Sequence, residues 1–239
     1  MRIGSPAAAP AAIAGPALAA WLVLPISLSA QSPGRTVDEG TFVLTRGGVT
    51  VGRESFRIIR EPSASGEVFR ATAQLALGDE RVVPSLSADS NGSPLSYDVA
   101  IQQGTEASAT LQGRARPGRF SALLRTRTGE SAKEYVVPSS AVVLDDEIAH
   151  QLYFVTFRGR KSGSLTIIDP RSNAQSVATL QRVGAADLEI GGKSVVATHF
   201  TLTAPGLTRR EFWVDDVGRV LRVSVPDRGL VAQRDELPR

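Results

Sequence analysis

From Gly40 onward, apolar residues recur at every second position, the period of a strand with one buried face. Phe42 and Leu44, then Val49 and Val51, then Phe56 and Ile58 alternate with polar residues on either side of Gly47-Gly48. Two glycines between alternating runs predict a hairpin, because its turn needs positive φ at both positions. The same grammar repeats down the chain. Glu67 to Leu77 lies between Gly66 and Gly78, and Arg81 to Ala88 leads into Asn91-Gly92. A strand from Leu95 to Gln102 follows, then Ala107 to Gly113 and Arg119 to Thr128 around Pro117-Gly118. Past Gly163 come Ser164 to Ile168, Asn173 to Val183 and Asp187 to Ile190, with a second Gly-Gly turn at Gly191-Gly192. Lys193 to Thr203 pairs with Thr208 to Val214, and Arg219 to Val225 ends at Pro226. This reads as about a dozen strands in successive hairpins.

One segment breaks the period. Asp145, Asp146 and Glu147 precede Ile148, Leu152 and Val155, with Tyr153 alongside. Acidic residues followed by apolar ones at three- and four-residue spacing predict a helix of about three turns near residues 144–156. Asp145 is its expected N-cap. No strand-helix-strand alternation exists, which excludes doubly wound parallel folds. A mainly β domain over residues 40–226 follows. Its expected form is a long curved antiparallel sheet, a half-open barrel wrapped around one short helix, with a β-sandwich as the alternative. Residues 31–39 are expected to be disordered, and residues 227–239 to be a polar tail, with Leu230-Val231-Ala232 available as a short edge strand.

Ahead of the domain the composition changes. Arg2, an apolar run from Ala17 to Ile26 and the small residues Ser27-Leu28-Ser29-Ala30 form a basic start, an apolar stretch and a cleavage site. Residues 1–30 therefore read as a signal peptide cut after Ala30 or Ser29. The apolar run falls short of the roughly twenty residues that span a bilayer, so no stable transmembrane anchor is expected. Cysteine is absent, which excludes disulfides, thiol chemistry and a lipid-modified N-terminus. The expected location is the bacterial periplasm or the medium. The formal charge is +3 with acids and bases interleaved, and aromatics make up only 5% of residues. Neither a basic block nor a base-stacking platform is present, so nucleic acid is not an expected partner.

Three stretches carry a resemblance. They are the opening hairpin Gly40 to Glu54, the segment Leu144 to Tyr153, and the closing set Gly191-Gly192-Lys193, Thr198 to Leu202, Glu211 to Asp215 and Gly218 to Val223. Together the arrangement resembles the lipoprotein-localisation (LolA/LolB-like) periplasmic half-barrels and related exported bacterial proteins. The resemblance implies a concave apolar surface that holds acyl chains, and no catalytic residues. Unlike a lipoprotein member of such a group, this chain has no cysteine, so a carrier role would be a soluble one.

Candidate chemistry is sparse. His150 and His199 are the only histidines, too few for a metal site by themselves. Asp145, Glu211 and Asp215 are the carboxylates that a glycosidase-like groove would use, but Asp145 reads more simply as a helix start and Asp215-Asp216 as a turn. No Gly-x-Ser-x-Gly occurs. No catalytic, cofactor or metal site is assigned. An apolar ligand cavity would be lined by Phe56, Phe69, Tyr97, Ile148, Leu152, Tyr153, Phe200, Phe212 and Trp213. The basic turn carrying Arg158, Arg160 and Lys161 is the candidate contact for an anionic group. These features lead to a soluble, non-catalytic carrier for a lipid or other hydrophobic ligand. The alternatives are a cell-envelope module that binds a protein partner through a sheet edge, and an exported hydrolase.

Overall fold

The computed structural model describes residues 34–64, 66–138 and 140–239. The signal peptide expected at residues 1–30 lies outside them. The strands are β1 (Arg35–Arg46), β2 (Val49–Ser63), β3 (Gly66–Leu77), β4 (Glu80–Ala88), β5 (Pro94–Gln103), β6 (Glu106–Arg116), β7 (Arg119–Thr126) and β8 (Gly129–Val136). They continue as β9 (Val142–Val143), β10 (Gly163–Asp169), β11 (Ala174–Ile190), β12 (Lys193–Ala204), β13 (Leu207–Val214), β14 (Val220–Val225) and β15 (Leu230–Arg234). All lie in one 15-stranded sheet, in the order β8-β7-β6-β5-β4-β3-β2-β1-β15-β14-β13-β12-β11-β10-β9. Each half is a meander of hairpins, as the glycine-punctuated alternation predicts. Among the described residues, only the two-residue β9 pairs in parallel, with β10.

Alternation along each strand sends one set of side chains to a shared core. Phe120 and Tyr135 from one end of the sheet join the same apolar cluster as Ile167 and Ala178 from the other. Strands so distant in the sheet order share a core because the sheet curls, as the half-barrel reading requires. The sheet stays unclosed. Side chains bridge the end strand β8 to the β10–β11 hairpin near the other end: Gln175 Nε2 donates to the Val136 carbonyl at 2.8 Å, and the Tyr135 hydroxyl donates to Asn173 Oδ1 at 3.3 Å.

Three boundaries differ from the sequence-based expectation. Residues 35–39, expected to be disordered, belong to β1, where Arg35 to Glu39 pair with residues 57–60 of β2. Asp38 shares the inward parity of Phe42 and Leu44 and is neutralised there by buried Arg234. Arg234 in turn lies in the segment expected to be a tail. That tail is β15, a central strand paired to β1 on one side and β14 on the other. Among the described residues it is the only strand that hydrogen-bonds to both halves of the sheet.

The third correction concerns the expected helix. Residues 144–156 form no α-helix of three turns. They contain a 3₁₀ turn at His150–Phe154, followed by a second at Phe157–Gly159. Bonds of the i to i+3 type run from Leu152 N to Ala149 O (3.2 Å) and from Val155 N to Leu152 O (3.1 Å). An amphipathic helix keeps one polar face wet. Here every residue from Ile148 to Thr156 is buried, His150 and Gln151 included. Sheet side chains supply hydrogen bonds to this segment from outside it. It fills the hollow of the sheet as a plug.

Candidate functional site

The plug is fastened by polar side chains that the strands aim inward. Glu54 of β2 is fully buried. Its carboxylate accepts from Ala149 N at 2.7 Å, His150 N at 3.0 Å and His150 Nδ1 at 2.6 Å. The His150 ring stacks on Phe56, with centroids 5.4 Å apart. On the opposite flank, the Tyr97 hydroxyl of β5 donates to Asp145 Oδ2 at 2.9 Å, and Asp145 N donates to Gln151 Oε1 at 2.7 Å. Arg171 stands 3.3 Å from Asp145 and 3.4 Å from Glu147. Asp145 therefore caps no helix. It is a buried acceptor that ties the plug to β5 and to the β10–β11 turn.

Burial pushes the Asp145 carboxyl up to about 6, with Asp169 adding to the rise while Arg171 and the Tyr97 hydrogen bond oppose it. A carboxyl raised above its usual 3.8 stabilises the fold when protonated. That contribution is complete below pH ~4 and is lost as pH rises through ~6. Its size is on the order of 2–3 kcal/mol. Asp145→Asn is expected to flatten the stability profile between pH 4 and 6.5, as read by urea midpoints across that range. An unchanged slope would sink the assignment.

With the plug in place, most of the concave face is solid. Phe56, Tyr97, Ile148, Leu152 and Phe212 are packed core. They line no large cavity. Trp213 faces the other way. It follows Phe212 in a strand, so the two side chains point to opposite faces of the sheet. Trp213 stacks on His199 at 4.4 Å and packs on a second, smaller cluster with Leu188, Ile190, Ala197 and Leu221.

One end of the hollow stays open. Midway along β13, Arg210 borders a tightly filled part of the hollow, where only about 20 Å³ is free beside Leu44 and Ile148. At the far end of the same strand, Val214 borders a cavity of about 730 Å³. Its floor is aromatic: the half-buried Phe157 and the edges of the largely buried Phe69, Tyr153 and Phe200. Phe157 meets Phe69 edge-on at 4.8 Å and Tyr153 at 5.6 Å. Its rim is basic, with Arg158, Arg160 and Lys161 from the turn that follows the plug, Arg60 from β2 and Arg182 from β11. The structure thus brings together Phe69, Tyr153 and Phe200 from the expected apolar set and all three residues of the expected anionic contact.

Arg182, Phe157 and Thr198 also line this space but were not among the expected site residues. For Arg182 a signal exists. Ala178 and Leu180 face inward on β11, and Arg182 has the same parity, opposite Phe200 of β12. A register shift between Arg182 and Gly184 then ends that alternation.

The residues weighed for hydrolysis are dispersed. Asp145 is buried within the plug, bonded to Tyr97, and Glu211 pairs with Arg209 at 2.6 Å. Asp215 borders the cavity, but its oxygens accept from Val217 N, Arg219 N and Arg219 Nε. Among the described residues, no group of three or more His, Cys, Asp or Glu is placed to hold a metal ion, and no helix is long and apolar enough to cross a membrane. No family model, curated protein or solved structure matches the chain.

Proposed function

We propose that this chain is an exported, non-catalytic binding or carrier protein whose ligand is a lipid, an acyl chain or another hydrophobic molecule. The observation that carries the reading is the cavity of about 730 Å³ left open where the plug stops short of one end of the curled sheet. Its size falls within the range of small-molecule pockets. Its aromatic floor offers apolar surface, and each methylene buried there contributes about 0.8 kcal/mol. The resemblance to lipoprotein-localisation half-barrels and the leader-like N-terminus point the same way, toward a soluble carrier in the periplasm or the medium.

Native mass spectrometry of the protein, purified without detergent from its source, tests the reading. A retained lipid mass is the expected result, along with displacement of a hydrophobic fluorescent probe by fatty acid. A bare protein that also fails to bind the probe would overturn it. In that event the cell-envelope interaction module becomes the better reading. It draws on the edge strand β8, where all but one residue is exposed; apart from the Val136 carbonyl taken by Gln175, that edge is open to strand addition.

A further inference from the structure

We propose that the ligand carries an oxyanion at one end of its apolar body, gripped by Arg158, Lys161 and Arg182. This deepens the carrier reading and rests on it. Elsewhere on the inward face, charges come in opposed pairs. Asp38 meets Arg234, Asp145 meets Arg171, and Asp146 meets Arg210. The cavity departs from that pattern. Arg60 is matched by Glu67 at 3.3 Å, and Asp215 is taken up by Arg219 at 2.7 Å. What is left is Asp216 facing Arg158, Arg160, Lys161 and Arg182. Arg160 spends one nitrogen on the Val155 carbonyl at 3.1 Å.

Arg182 is exposed at the cavity rim opposite Phe200, and among the described residues no carboxylate pairs with it, so its guanidinium is available to an incoming anion. Arg158 adds a second sign. It sits at φ 56°, a left-handed conformation uncommon for a residue with a side chain. Strain of this kind gathers at binding sites. The Thr156 hydroxyl, on the same wall, is buried without a hydrogen-bond partner. Guanidinium forks bind phosphate and carboxylate oxygens in pairs, while the aromatic floor next to them accepts the apolar part. Burial also lowers the basicity of Arg160, a cost that a bound oxyanion relieves.

Calorimetric titration below micellar concentrations, with four probes, tests the proposal. The probes are dodecyl phosphate, dodecyl maltoside, dodecyltrimethylammonium and inorganic phosphate. Dodecyl phosphate is expected to bind about tenfold or more tightly than the neutral maltoside, with the cationic probe weakest. That advantage shrinks as salt rises. Arg182→Gln and Lys161→Gln each remove much of it while leaving maltoside affinity unchanged. Arg158→Gly weakens dodecyl phosphate binding without lowering the unfolding midpoint, because glycine relieves the left-handed conformation. Equal affinity for dodecyl phosphate and dodecyl maltoside would overturn the oxyanion inference and leave the carrier reading standing. Inorganic phosphate binding as tightly as dodecyl phosphate would support the oxyanion grip and overturn the carrier reading. No binding by any probe would overturn both.

Discussion

Replacing Glu54 with alanine is expected to lower the unfolding free energy by about 3–5 kcal/mol, the range for removing one partner of a buried charged contact. The carboxylate lies in the core with no exposure. It is the acceptor for two backbone N–H groups and one imidazole N–H of the plug. Alanine leaves all three donors buried without an acceptor, each at a cost of roughly 1–3 kcal/mol before relaxation. It also opens a cavity beside Phe56 and His150. Glu54→Gln keeps one acceptor oxygen but turns an NH₂ toward a donor, so a loss of about 1–3 kcal/mol is expected. Guanidinium titrations of both variants check the ordering. If Glu54→Ala unfolds at the same midpoint as the parent, the plug is not held in the way described.

Ending the chain at Gly229 is expected to abolish the cooperative fold. The missing strand, β15, hydrogen-bonds to β1 through the register Phe42 to Arg46 and to β14 through Arg222 to Val225. Its Leu230 and Ala232 are core residues. Arg234 donates to the Asp38 carboxylate and to the Glu39 and Val220 carbonyls. Its loss exposes two strand edges in the middle of the sheet, each a row of unpaired backbone groups, and leaves Asp38 buried without its partner. Ending the chain at Asp235 instead keeps β15 whole and is expected to keep a sharp thermal transition by circular dichroism. If both truncations melt alike, β15 is not the joint between the halves.

Much of the fold is legible in local signals. Gly47-Gly48, Asn91-Gly92, Pro117-Gly118 and Gly191-Gly192 mark hairpin turns because a few adjacent residues carry the required φ values. β15 escapes such reading. Its pairing partner β1 lies at the other end of the chain, and Gln233 and Arg234 look like solvated tail until the Glu189 carbonyl is found to accept from Gln233 and Asp38 to pair with Arg234. The first residues of β1 escape for the same reason, since Arg35, Asp38 and Glu39 hide the alternation. The plug has the spacing of a helix, yet Glu54 and Tyr97, far away in sequence, supply the contacts that hold it as 3₁₀ turns. At the candidate site, the turn Arg158 to Lys161 and the aromatics Phe69, Tyr153 and Phe200 were legible from composition and context. Trp213 was misplaced because neighbouring strand residues cannot share a face. Arg182 carries the inward parity of Ala178 and Leu180, a signal cut short by the irregularity that follows it on β11.

The most direct test of the central claim, an open pocket beside the plug that takes a hydrophobic ligand, is binding by a Thr198→Trp variant. Thr198 lines the cavity from β12 and is partly exposed, with no core role. An indole there grows into free space, so the fold is expected to keep its stability to within about 1 kcal/mol. Affinity for a fluorescent fatty acid is expected to fall by about tenfold or more. A variant that folds normally and binds the probe as tightly as the parent would contradict the account, because the ligand would then sit somewhere else.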